Sequence, residues 1–116
     1  MPVMLVVMPV APRREDAARA FAGEITGARG DEFNAFQAEA GNATRETWHL
    51  VQTPGGTQIV VWAEADDAEA GFEHMMSSTG FGEWFRGQIA EITGVDKTAA
   101  DGEPPPEPEQ LIDWTA

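Results

Sequence analysis

The sequence contains no cysteine. That absence excludes disulfides, thiolate nucleophiles and thiolate metal sites together, and it leaves the redox compartment undecided. Basic residues are scarce. Seven Lys and Arg face twenty Asp and Glu, for a formal net charge of −13 and a pI near 4.2. A polyanion repels phosphate backbones and anionic lipid, so neither nucleic acid nor a membrane surface is expected as a partner. Long apolar runs are missing too. The longest, residues 1–12, falls far short of the ~20 residues a spanning helix needs. It carries no positive charge ahead of it, as a signal peptide would, because Arg13 and Arg14 follow it. A cytoplasmic protein is the expectation. No Gly-rich loop opens a helix after a strand, and Ser77 and Ser78 lack a nucleophile-elbow context.

What is present suffices for one packed domain. The 116 residues are 42% apolar and include four Trp and six Phe, which argues against a disordered chain. The reading is a single domain over residues 1–116, with 98–109 an acidic, Pro-rich connector to a last strand. Val3 to Met8 is a short β-branched run that predicts a strand buried on both faces. The spacing of Ala17, Phe21, Ile25 and Ala28, then of Phe33, Phe36 and Ala40, predicts one long helix from about Arg13 to Ala40. It bends where Gly27 and Gly30 displace the stripe, with two helices as the alternative. Gly41 and Asn42 stop it.

Two alternating segments follow, Ala43 to Thr53 and Thr57 to Ala65, joined by a Pro54-Gly55-Gly56 turn: a β-hairpin. Asp66-Asp67-Ala68-Glu69 offers an Asp cap with Glu three residues on, the signature of a helix start. Ala68, Phe72, Met75 and Met76 share one side of that helix. After a break at Thr79-Gly80, the spacing of Phe81, Trp84, Phe85, Ile89 and Ile92 predicts another, closed by Gly94. Gln110 to Thr115 is long enough for a final strand that buries Leu111, Ile112 and Trp114. The order βαββ(αα)β predicts an α+β, ferredoxin-like fold: a four-stranded antiparallel sheet with helices on one face only. The other face is left bare, and two such faces packed together make a homodimer enclosing a cavity.

Several stretches also resemble the dimeric α/β-barrel superfamily, which includes antibiotic-biosynthesis monooxygenases and haem-degrading monooxygenases. Gly27 to Phe33, Arg45-Glu46-Thr47 and Trp62 to Asp67 are similar to an uncharacterised family within it. Phe72 to Phe81 resembles the monooxygenase-like helix that reads His, two or three residues, Ser, then Phe. The resemblance implies a dimeric barrel and makes His74 a candidate ligand contact. It also carries departures. Met75 stands where the haem-degrading members have a helix Trp, Phe85 where they have an iron-ligating His, and no Asn occupies the first strand. Haem degradation by their scheme is not expected, and no cofactor is implied.

The hairpin yields the sharpest constellation. With a three-residue loop, Glu46 lies across from Glu64 and Trp48 across from Trp62, on one face, at Cβ separations of roughly 4.5–5.5 Å. Carboxylates that close share a proton, which raises one pKa and makes an acid/base pair. Glu46 and Glu64 are therefore the candidate catalytic residues, and Trp48, Trp62 and His74 the candidate substrate contacts, for a small aromatic or otherwise apolar ligand. The reaction class would be cofactor-independent isomerisation, cyclisation or oxygenation. The competing reading makes the tryptophans dimer-interface core in a non-catalytic accessory protein. His74 lies off the stripe of its own helix, which also suits a solvated surface residue. His49 is expected half-buried on the helix-facing side. A metal set of Glu46, Glu64 and His74 can be drawn, but no close His spacing supports it, and no metal is expected.

Overall fold

A computed structural model describes residues 3–39, 43–95 and 108–116. Strand β1 spans Val3–Pro9, followed by helices α1 (Glu15–Thr26) and α2 (Gly30–Glu39), strands β2 (Ala43–Thr53) and β3 (Gly56–Ala65), and helices α3 (Ala68–Ser77) and α4 (Phe81–Thr93). The fold is mixed α+β. Its described sheet has three strands in the order β1-β3-β2, antiparallel throughout.

The core forms where the helices meet one face of this sheet. Met8, Ile59 and Val61 from the strands meet Ala18 and Phe21 of α1 and Phe85, Ile89 and Ile92 of α4. Strand alternation sends the intervening side chains to the opposite face. β1 is therefore buried on one face only, contrary to the reading of a strand covered on both: Leu5 is 41% and Val7 54% exposed. The rows Leu5–Trp62–Thr47 and Val7–Val60–His49 run across this open face. His49 is thus exposed there, not half-buried against the helices.

The single long helix expected from Arg13 to Ala40 is two. The Arg29 and Gly27 amides both donate to the Glu24 carbonyl, at 2.8 and 3.3 Å, and the Gly30 amide donates to Gly27. These bonds replace the regular ladder, so the chain turns between α1 and α2. Gly27 permits the close approach, since a Cβ there would stand 2.8 Å from the Gly23 carbonyl oxygen. The Gly41-Asn42 stop lies outside the described residues.

The last two helices are held as their sequences suggest. Asp67 accepts the Ala70 amide at 3.0 Å, which caps α3. Gly94 closes α4 in the left-handed region at φ 72°. Between them, Arg86 Nη1 donates to the carbonyls of Met75 (2.7 Å) and Ser78 (2.8 Å), placing a cation at the carbonyl end of α3.

The fourth strand is not formed. Gln110 to Thr115 has no strand pairing, and Leu111, Ile112 and Trp114 are 84%, 83% and 78% exposed. β1 thus keeps one edge without a partner among the described residues. The connector assigned to 98–109 lies outside the described residues up to position 107.

A candidate ligand cavity on the helix side of the sheet

The hairpin register decides the site. Thr53 pairs with Gly56, so the turn is the two residues Pro54-Gly55. Gly56 joins the ladder at φ 128°, a conformation open to glycine, and two-residue loops are the favoured hairpin connection. The register is one step from that of a three-residue turn, and one step exchanges faces. Trp48 pairs with Val61, Glu46 with Ala63, Thr47 with Trp62 and Arg45 with Glu64. The expected facing pairs Glu46–Glu64 and Trp48–Trp62 are therefore not brought together. Glu46 and Trp48 point toward the helices, while Glu64 and Trp62 lie on the open face. There the Arg45 guanidinium carbon stands 5.7 Å from the centre of the Trp62 ring.

Small residues open a space beneath the helices. Ala43, Ala63 and Ala65 form its floor on the sheet, with Ala68 and Gly71 of α3 above. Had these positions carried Leu or Ile, the layer would be filled. Instead a cavity of about 300 Å³ remains, running from the free edge of β1 inward to Trp48 and Phe36. Phe72, Met75 and Met76 of α3 and Phe85 and Ile89 of α4 give it an apolar roof.

Three polar side chains interrupt this lining: Glu46, Gln37 and Arg86. Glu46 Oε1 accepts the Trp48 indole N–H at 2.8 Å, and Oε2 accepts the Gln37 side-chain amide. No basic group among the described residues lies within ion-pair distance of this half-buried carboxylate. Each oxygen retains capacity for a further donor. Trp48 itself is wedged edge-on to Phe85, at 6.0 Å between ring centres and 89° between planes, and tilted against Phe21 at 5.9 Å. Such aromatic contacts contribute about 0.5–1.5 kcal/mol each beyond area burial, so the indole is a fixed wall. On its far side, between α1 and β2, lies a second space of about 330 Å³ that shares Glu46, Trp48 and Phe85.

His74 does not line either cavity. Its ring packs on Phe36 at 5.0 Å between centres, and its Nε2 stands 3.6 Å from a Glu39 carboxylate oxygen. It is an α2–α3 contact and not the solvated surface residue its helix position suggested. With Glu46 and Glu64 on opposite faces, the metal set drawn from them and His74 has no geometric basis. No cluster of three potential ligands occurs among the described residues.

Gln37 and Arg86 escaped the sequence reading. Arg86 adjoins the core residue Phe85, and Gln37 adjoins Phe36, so both flank apolar stripes. Periodicity marks the stripes but does not say which neighbours a groove will receive. Comparison with family models, with curated proteins and with solved structures finds no match. No described helix is long and apolar enough to cross a membrane.

Proposed function

We propose that this protein binds a small aromatic or polycyclic molecule in the cavity between the sheet and the helices, with Glu46 as the polar anchor. The observation that carries this reading is an apolar space of about 300 Å³ ending on a half-buried carboxylate that has no cation beside it among the described residues. That volume is at the lower end of small-molecule sites, which pair an apolar lining with a few fixed polar groups. Glu46 selects a ligand bearing a hydroxyl or another donor. Arg86, also in the lining, offers guanidinium N–H groups to a carbonyl or an anionic substituent. The same carboxylate is the group able to accept a proton from the ligand. It would serve cofactor-independent chemistry of the isomerisation, cyclisation or oxygenation kind.

The test is a fluorescence titration with hydroxylated naphthalenes and anthraquinones, using the wild-type protein and Ala63→Phe. The substitution fills the cavity floor and leaves the open face unchanged. Saturable quenching in wild type that is lost in Ala63→Phe supports the reading; equal quenching in both, or none in wild type, overturns it.

A second reading rests on the open sheet face. Leu5, Val7 and Val51 are exposed there beside Trp62, a patch suited to self-association. It makes the protein a homodimer whether or not the cavity is used.

A further inference from the structure

Among the described residues, the edge of β1 without a partner and the exposed segment 110–115 are two unmet demands of this fold. β1 carries no charged side chain, its pairing with β3 has no bulge, and its only proline ends it. It therefore lacks the devices by which natural sheets blunt an edge. β2 has them: Arg45 and Glu46 lie along it, and its register shifts between Ala43 and Arg45. An unprotected apolar edge is stable only when covered. The segment 110–115 is the counterpart, since Leu111, Ile112 and Trp114 are each more than three-quarters exposed.

We propose that segment 110–115 of a second copy of this chain adds as a fourth strand to the free edge of β1, and that the two copies exchange these strands. The alternation of the segment suits the place. Ile112 and Trp114 fall on one face and Asp113 and Thr115 on the other. Turning Ile112 and Trp114 toward the cavity mouth, beside Met4 and Met8, leaves Asp113 on the open face. The reverse would bury an unpaired charge in an apolar groove.

Chain length favours a second copy over the same chain. α4 ends beside the chain just past the C-terminal end of β1, where the Ala11 amide donates to the Ile92 carbonyl at 2.9 Å. A strand antiparallel to β1 within one chain would begin at that point, after a loop of about 2–6 residues. Residues 96–109 intervene instead, fourteen residues that can extend about 46 Å. The longest dimension of the molecule is 37 Å, so the connector can cross a subunit. The proposal does not depend on the ligand reading, since the exchange is the same with the cavity empty.

The absence of cysteine permits a direct test. Two differently tagged copies are mixed, one carrying Leu5→Cys or Val7→Cys and the other Asp113→Cys, and then oxidised. Exchange is expected to give a disulfide between the two tags, and Ile112→Cys, on the opposite face, is expected to give little. A full-length chain carrying both cysteines that cross-links only within itself overturns the second copy. No cross-link in either arrangement overturns the docking altogether. In parallel, in a Trp62→Lys background that disables association through the open face, Ile112→Asp/Trp114→Lys is expected to turn a dimer into a monomer by sedimentation while leaving the far-ultraviolet spectrum unchanged. A dimer unaffected by this pair of changes overturns the proposal.

Discussion

The indole N–H of Trp48 donates to the Glu46 carboxylate at 2.8 Å, from two residues further along the same strand. Residues i and i+2 share a face, so one strand supplies both the flat wall and the acceptor of the cavity. Gln37, from α2, secures the other carboxylate oxygen. The acceptor is thereby fixed before any ligand arrives, which lowers the ordering cost of binding.

Glu46→Gln keeps the shape and removes the charge. A hydrogen bond to a charged group is worth about 1.5–3 kcal/mol against about 0.5–1.5 for a neutral one, and the Gln carbonyl still accepts, so affinity for a hydroxylated aromatic is expected to fall roughly tenfold. Calorimetric titration measures this. Any turnover of that ligand should be lost more completely than its binding, and equal turnover in the variant would remove Glu46 from the chemistry.

Gly82→Ala probes the α3–α4 junction. A Cβ at Gly82 would stand 1.7 Å from Ser78 Oγ and 2.8 Å from Ser78 Cβ. Overpacking of this kind costs about 1–3 kcal/mol, read as a lower Tm. Adding Ser78→Gly removes both atoms and is expected to recover most of the loss.

Asp67→Ala removes the cap of α3. The expected cost is about 1 kcal/mol, measured by urea unfolding. α3 contains no fully buried residue, so the effect should concentrate there, with faster amide exchange from Ala70 to Met75 than in α4.

Arg86→Met removes two bonds to the carbonyls at the end of α3 while keeping an apolar stem. A destabilisation of about 1–3 kcal/mol is expected from the two carbonyls left without a donor. Affinity for an anionic aromatic should fall more than affinity for its neutral analogue.

Trp62→Lys tests the open face. The change places a charge at the centre of the apolar rows and is expected to weaken self-association through that face, seen by sedimentation. Cavity binding is expected to be unchanged, because Trp62 lies on the far side of the sheet.

Much of the fold is legible in the residues themselves. The helix start at Asp66-Asp67, the Gly94 stop and the alternation of Ala43 to Thr53 and Thr57 to Ala65 are local signals, and the structure has a helix, a stop and two strands there, with Asp67 as the capping residue. The side-chain alternation within each hairpin strand was also readable. What was not readable is how the two alternations align. That depends on whether Gly56 belongs to the turn or to the ladder, a matter of one backbone conformation. This single step sends Glu46 and Trp48 to one side and Glu64 and Trp62 to the other. The apolar pattern of 110–115 promises a strand, but pairing is a tertiary event, and among the described residues that segment pairs with no strand. The cavity was hidden for another reason. It arises from alanines and a glycine on three separate elements, and no window of sequence holds them together.

Those small residues have a consequence for how the protein could diversify. The floor at Ala43, Ala63 and Ala65 contributes nothing to the backbone ladder that a larger side chain would disturb. Exchanging one alanine for valine or leucine shortens the available space by a carbon or two at a chosen depth, while β2 and β3 stay in register. The sheet is thus a fixed ruler with adjustable stops, and each methylene of fit or misfit shifts ligand preference by about 0.8 kcal/mol. Molecules of graded length or ring number could be sorted by descendants of this chain that differ at three positions and share every strand.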